Sequence, residues 1–335
     1  MRLQPLALLA LSATATFTAA CDNNGLRDGV PAQGLLTLNV PEEDGQALRA
    51  GATSELFRLT RELATNINGS VGFVFALSEQ ILALPPTDTD NETYAVWGPS
   101  EPRGLERNSF RFTVNKVDDS QYTYKLEARP KAATEDSDFV IVWEGTSFPD
   151  GADGGHGDLD IHFGTLRSID DSECNSGDMH VDYIADAEPR SIDVIFTGVA
   201  NACNDEAPSN ASYHYEETAD AAGLLDFVVV KDTHAEAENK PLEETFAVRS
   251  RWLADGQGRS DVRISGGEIP ADLVANIPDT TATSADIVEC WDGGFNVVYV
   301  DTNPDELEPY LGYDNEGDVA ACAFADASFA ELVTE

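Results

Sequence analysis

From residue 53 the chain carries two successive periodicities. Thr53-Ser54-Glu55 opens a stretch in which Leu56, Leu59, Leu63 and Ile67 recur every three or four residues, continued by Val71, Val74, Leu77, Ser78, Ile81 and Leu82. That spacing puts them on one helical face. Asn68-Gly69 is expected to break or kink the segment into two helices, and Pro85-Pro86 to stop it. The second half is apolar on most sides (Phe73, Val74, Phe75, Leu77), which predicts deep burial.

After Tyr94 the period becomes two. Phe110/Phe112/Val114 alternate with polar residues, and so do Tyr122/Tyr124/Leu126, Phe139/Ile141/Trp143, Leu159/Ile161/Phe163, Met179/Val181/Tyr183 and Ile192/Val194/Phe196. The pattern continues at Tyr213/Tyr215, Leu225/Phe227/Val229, Phe246/Val248/Trp252, Val262/Ile264 and Phe295/Val297/Tyr299. Turn residues such as Asp118-Asp119, Asp255-Gly256 and Asp292-Gly293-Gly294 bound the runs. The expected fold is mostly β (α+β): a large antiparallel meander, strongly curved into a half-barrel or barrel, with the N-terminal helical segment packed on its apolar face. No internal repeat period is evident, which argues against a propeller or solenoid. The expected organisation is residues 1–20 as a signal peptide, 21–52 as a flexible tether with one short strand at Leu35–Leu38, and 53–335 as a single domain. Within that domain helices occupy 53–84 and the β-meander 94–325.

If each strand reverses the last, connections alternate between two rims. Those at 118–120, 187–189, 219–222, 254–258 and 292–293 are short; those at 130–137, 168–177, 200–210, 233–242, 266–283 and 302–317 are mostly long. Four of the five cysteines lie within this region, which allows three pairings. Cys174 and Cys203 fall in long-rim loops, and Cys290 and Cys322 toward the short rim, so parity favours Cys174–Cys203 and Cys290–Cys322. No C-x-x-C occurs, which leaves zinc and thioredoxin-like chemistry unsupported.

The first twenty-one residues have a different character. Arg2 precedes an apolar, Leu- and Ala-rich run to Phe17, then Thr18-Ala19-Ala20 and Cys21. A basic start, a short apolar stretch and small residues before a cleavage site make a secretory signal, too short to span a bilayer comfortably. The placement of Cys21 after Ala19-Ala20 resembles the lipobox of bacterial lipoproteins, which implies acylation of Cys21 and cleavage before it. Several acyl chains, at about 0.8 kcal/mol per buried methylene, make a lasting anchor.

Charge narrows the partners. The 335 residues hold 20 Lys+Arg against 61 Asp+Glu, a formal net charge of −41. No basic stripe is present to displace counterions from phosphates, so nucleic acid is excluded as a partner, and docking on anionic head groups by charge is disfavoured.

Chemistry-bearing motifs are sparse. The five histidines stand outside H-E-x-x-H, and no G-x-S-x-G or phosphate loop occurs, so no catalytic residue, cofactor or firm metal site is expected. Asp150, Asp153, Asp158 and Asp160 form a weak Ca²⁺ candidate that lacks both the β-roll and the EF-hand spacing; a hairpin loop is the competing reading. Arg249, Arg251, Arg259 and Arg263 flank one hairpin. They are candidate anion contacts, with cross-strand pairing to acidic neighbours as the alternative.

The lipobox-like start, Pro85-Pro86-Thr87, Trp97-Gly98-Pro99, Arg251-Trp252 followed by Gly256-Gln257-Gly258-Arg259, Glu289-Cys290-Trp291 and Glu316-Gly317-Asp318 to Cys322 together resemble uncharacterised bacterial envelope lipoproteins. The resemblance implies localisation in the cell envelope, lipid-anchored on the periplasmic or cell-surface side, and no activity. The expected function is a non-catalytic binding or structural role. A hydrophobic ligand held on an apolar face and an envelope protein are the expected partners beside the membrane. A secreted hydrolase with its site on the long-loop rim is the alternative. An integral outer-membrane barrel fits the rim asymmetry less well, given the helical segment and Cys21.

Overall fold

The computed structural model describes residues 24–41, 53–101, 107–151, 154–204, 206–231, 243–267, 269–277, 280–308 and 312–334. Helices α1 (Asn24–Arg27) and α2 (Glu55–Leu82) precede the strands β1 (Asp88–Thr89), β2 (Tyr94–Trp97), β3 (Asn108–Lys116), β4 (Tyr122–Pro130), β5 (Val140–Pro149) and β6 (Gly155–His162). After α3 (Phe163–Ile169) come β7 (Asn175–Ile184), β8 (Arg190–Asn201), β9 (Ser209–Glu217), β10 (Gly223–Lys231), β11 (Glu244–Trp252) and β12 (Gly258–Gly266). Helix α4 (Ile269–Asn276) leads to β13 (Ser284–Trp291), β14 (Val297–Asn303) and β15 (Glu316–Gly317). The fifteen strands pair in sequence order, so the meander is as expected. β1 and β15 stand at the two ends of the order, which makes the topology open rather than a closed barrel.

Two expectations are corrected. Asn68-Gly69 does not break the helix: α2 runs uninterrupted for 28 residues. Asn68 is held instead by Leu38, whose N–H donates to Asn68 Oδ1 (2.7 Å) and whose carbonyl accepts from Asn68 Nδ2 (3.0 Å). The side-chain amide acts there as a strand partner, which removes its tendency to bond the helix backbone. Second, part of the presumed tether is packed: Leu26, Val30, Leu36 and Leu38 are buried, and Gln33–Leu36 is a 3₁₀ turn, not a strand. Residues 21–23 and 42–52 lie outside the described residues. The described residues form two compact units within the one run of paired strands. The described residues of Met1–Leu38, Thr65–Glu173 and Asp182–Asp186 form one; those of Asn39–Ala64, Cys174–Val181 and Ala187–Glu335 form the other.

In the first unit, Trp97, Phe112, Leu126, Trp143 and Ile161 are opposed across β2 to β6, a buried row perpendicular to the strands. Ring centroids lie 5.9 Å apart for Trp97–Phe112 and 5.2 Å for Phe112–Trp143. Such tilted contacts suit the ring quadrupoles. The Trp97 indole N–H donates to the Leu84 carbonyl (2.9 Å), fixing the exit of the helical segment.

In the second unit, three rows cross the strands on one face. Phe227, Val248, Val262 and Ile287 form an apolar row on which Leu56, Leu59 and Leu63 of α2 sit. Ser250, Ser260 and Glu289 form a buried polar row beside it. Gly223, Trp252, Gly258 and Trp291 form the third. The two glycines are required by close approach: a Cβ on Gly223 would lie 2.4 Å from the Trp252 ring, and on Gly258 2.3 Å from the Trp291 ring.

That third row exposes a recurrence absent from the sequence reading. Connections 218–222, 253–257 and 292–296 are five residues each and close alike. The first N–H donates to the fifth carbonyl (Thr218–Ala222 2.9 Å, Leu253–Gln257 2.9 Å, Asp292–Asn296 3.0 Å), and the fourth N–H donates to the first carbonyl. The fourth residue is left-handed each time: Ala221 (φ 67°), Gly256 (φ 86°) and Phe295 (φ 61°). This is a type I turn followed by an αL bulge residue. Its fourth carbonyl receives the next tryptophan: Trp252 Nε1 donates to Ala221 (3.1 Å) and Trp291 Nε1 to Gly256 (2.9 Å). Phe295 keeps its side chain despite the strain because its ring stacks on Phe57 at 4.2 Å.

Ala221 is exposed and in the same conformation without such a partner ring. Relief of about 1–2 kcal/mol of left-handed strain outweighs the extra freedom glycine gives the unfolded chain. Ala221→Gly is therefore expected to stabilise by about 0.5–1 kcal/mol, and Gly256→Ala to destabilise by about 1 kcal/mol. Urea unfolding midpoints check both; a fall in midpoint for Ala221→Gly contradicts the assignment.

Candidate functional site

Alternation places a second set of side chains on the opposite face of β8 to β13, and there the chemistry of the second unit gathers. Asp193, His214, Asp226, Arg249 and Asp261 are directly opposed from β8 to β12, so carboxylates alternate with basic side chains across five strands. Asp193 Oδ1 lies 2.7 Å from His214 Nδ1, and Glu216 Oε1 3.3 Å from His214 Nε2. Arg249 is bidentate on Asp226 (2.7 and 2.6 Å), and Arg263 on Asp286 (2.8 and 2.7 Å). Asp261, fully buried, accepts from Arg251 (3.0 Å) and Arg259 (2.8 Å). The four arginines expected as anion contacts are thus brought together, and their anions come from this chain. The bond to Asp226 raises the Arg249 pKa further; burial pushes the Asp261 carboxyl up against the pull of its two guanidiniums.

The face has a cover that the sequence reading did not foresee. Residues after Cys322 cross the strands as an extended strap. Phe324 and Ala325 carbonyls accept from Arg259 Nη1 (2.9 and 3.0 Å), and the Asp326 carbonyl accepts from Arg251 (2.8 Å). The Ser328 N–H donates to Asp261. Arg251 lies over the Phe324 ring and Arg263 over Phe329, 4.9 and 3.8 Å from the centroids. Ala330 and Leu332 pack on Val228 and Ala247, and the Val333 N–H donates to Ser212 Oγ (3.0 Å).

Both disulfides pair as rim parity expects: Cys174–Cys203 (Cα–Cα 5.0 Å) and Cys290–Cys322 (5.4 Å). The second ties the start of the strap to β13. Its sequence neighbours serve the other face of that strand. Glu289 Oε2 accepts from Ser54 Oγ (2.9 Å) and the Leu56 N–H (2.7 Å), and Oε1 from the Glu55 N–H (3.3 Å). Ser54 Oγ in turn caps the Phe57 N–H (3.0 Å). The free amides of the first turn of α2 are therefore satisfied by a serine and a carboxylate, both favoured at a helix N-terminus. Burial pushes the Glu289 carboxyl up, and these hydrogen bonds pull it down by less. Thr60 Oγ1 and Ser250 Oγ lie 2.6 Å apart, and Ser250 Oγ donates to Ser260 Oγ (3.0 Å), extending the buried polar row.

Other residues singled out by sequence do not converge. Asp158 Oδ1 accepts from the Thr146 N–H (3.2 Å), Asp153 lies outside the described residues, and no three His, Cys, Asp or Glu side chains are arranged for a metal ion among the described residues. The Ca²⁺ candidate Asp150, Asp158 and Asp160 is therefore not assembled by them. His156 stacks on Phe148 and pairs with Asp186 (3.0 Å). Cys21 lies outside the described residues. No described helix is long and apolar enough to cross a membrane. No protein-family model matches the chain, and neither does any curated protein or solved structure.

Asp261→Asn leaves the buried Arg259 facing a neutral amide, which is expected to cost about 3–5 kcal/mol. A loss below about 1 kcal/mol in urea titration contradicts its role. Glu289→Ala removes three acceptor contacts from the start of α2 and is expected to cost about 2–3 kcal/mol. A raised folded pKa means that Glu289 contributes stability fully present below its unfolded value of about 4.3 and lost as pH rises through the folded value. Glu289→Gln, neutral throughout, is expected to flatten that part of the stability–pH curve; an unchanged slope contradicts it.

Proposed function

We propose that the chain is a lipid-anchored protein of the bacterial cell envelope, on the periplasmic or cell-surface side, with a non-catalytic structural or protein-binding role. The observation that carries this reading is the use of cysteine. Cys174–Cys203 and Cys290–Cys322 account for four of five. Disulfides persist in oxidising compartments outside the cytosol. Cys21 is the remaining one, and it follows a secretory-type signal at the position where lipoproteins are acylated.

A scaffold is favoured over a hydrophobic-ligand carrier. In the second unit the apolar row Val248, Val262 and Ile287 is already occupied by Leu56, Leu59 and Leu63. A carrier needs that face free for its ligand. Catalysis draws no support from His214, whose two ring nitrogens both face carboxylates, leaving none for a hydroxyl nucleophile.

Expression of the full chain in a lipoprotein-processing bacterium tests the reading. The wild type is expected in the membrane fraction, with a mature N-terminus at Cys21 carrying acyl mass; Cys21→Ser is expected to lose that mass and leave the detergent-extracted fraction. An intact Met1, or an identical distribution of both forms, contradicts the anchor.

A further inference from the structure

Between Cys21 and the packed body of the first unit there is almost no free chain. Cys21 stands three residues before Asn24, where α1 begins. α1 packs against β3, and Leu26 and Val30 are buried. The residues that follow α1 are fixed at one end of the strands. A Cβ on Gly29 would lie 2.9 Å from the Tyr122 Cβ, and Ser147 Oγ donates to the Gly29 carbonyl. Tyr122 is the first residue of β4, and its cross-strand partners are Lys116, the last of β3, and Ser147, near the end of β5. Gly29 therefore marks the rim at which β3 turns into β4.

Three more connections of the unit lie on the same rim as 117–121. The Lys116 N–H donates to the Thr93 carbonyl (2.7 Å), which places 90–93 there. The Ala185 N–H donates to the Gly155 carbonyl (2.8 Å), which places 185–186 beside the turn from β5 to β6. Chain length then selects this rim over the other. From Gly29 through the one turn of α1 to Cys21, the chain reaches at most about 23 Å. The far rim, at the Pro130 end of β4, is about 27 Å from Tyr122. Acyl chains on Cys21 therefore hold the near rim close to the bilayer and leave the far rim out of reach. Val117 and Ile184, 57% and 44% exposed, lie at this near rim. The only other large apolar side chain exposed among the described residues of the unit is Leu84, just after α2. Asp90, Asp118, Asp119 and Asp186 are also exposed at the rim, so charge does not draw it to anionic lipid.

We propose that the β3–β4 turn rim of the first unit docks on the bilayer that holds the acyl chains of Cys21, with Val117 and Ile184 entering the head-group zone and the strands of this unit running away from the membrane. This orientation rests on the acylation of Cys21 proposed above. The acyl chains supply the attachment, and the short chain after Cys21 turns it into a defined contact. The two apolar side chains gain by leaving water, while the rim carboxylates stay hydrated among the head groups.

Tryptophan quenching tests this on the acylated full chain, bound to phosphatidylcholine vesicles that carry a head-group nitroxide. Val117→Trp is expected to lose most of its added emission. Ala132→Trp, in the connection after β4 at the far rim, is expected to keep it; the wild type supplies the background of the four native tryptophans. Equal quenching, or stronger quenching of Ala132→Trp, overturns the orientation while the anchor stands. A wild type that does not float with the vesicles overturns both. The unsubstituted chain gives a second readout that needs no new tryptophan. Hydrogen exchange at 117–121 is expected to slow on the vesicles relative to Cys21→Ser in solution, with 131–137 unchanged. No slowing at 117–121, or equal slowing at 131–137, overturns the proposal.

Discussion

A β-strand presents two faces one residue apart, and the second unit depends on how β13 uses both. Glu289 and Trp291 point to α2, where the carboxylate caps the first turn and the indole packs against Phe57 at 5.5 Å between centroids. Cys290, between them, points away and holds Cys322. Three consecutive residues thus fix the helix on one side of the sheet and the strap on the other. A slip of one residue would send the carboxylate to the strap and the thiol to the helix, so this strand sets the register.

The energies are divided unequally between the two faces. Leu56, Val248, Val262 and Ile287 are almost fully buried, at about 1.5–3 kcal/mol for each side chain. The Arg249–Asp226 and Arg263–Asp286 pairs are partly exposed and each contribute at most about 1 kcal/mol. Burial therefore supplies most of the stability. The charge row supplies specificity, since a register shift would part Arg249 from Asp226 and Arg263 from Asp286. Closing a loop of about 30 residues, the Cys290–Cys322 bridge adds about 3–4 kcal/mol in the chain-entropy account, which keeps the strap near its seat.

The meander and the disulfide pairing were legible in sequence because both follow from period-two alternation and from the parity of reversing strands. The helix face was legible from its recurrence every three or four residues, but its continuity was not. Asn68-Gly69 reads as a break until Leu38, thirty residues earlier, supplies the partner for the asparagine amide. The arginines were found and their neighbours were not, because only register reveals which Asp opposes which Arg. The strap had a faint signal: apart from Asp226, the run Leu224-Leu225-Asp226-Phe227-Val228-Val229-Val230 is apolar on both faces, as expected of a strand covered twice. Its own apolar residues, Phe324, Phe329, Ala330 and Leu332, follow no helical or strand period, since they bridge separate strands rather than pair with one.

The central claim is that β13 joins two independently seated layers, the helix through Glu289 and the strap through Cys290. Site-resolved hydrogen exchange on the Cys290→Ala/Cys322→Ala double variant tests it most directly. Loss of protection is expected at Ser328–Val333, with Leu56–Thr60 of α2 and the amides of β11 and β12 retained. Loss of the helix and the strap together, or an unchanged strap, contradicts it.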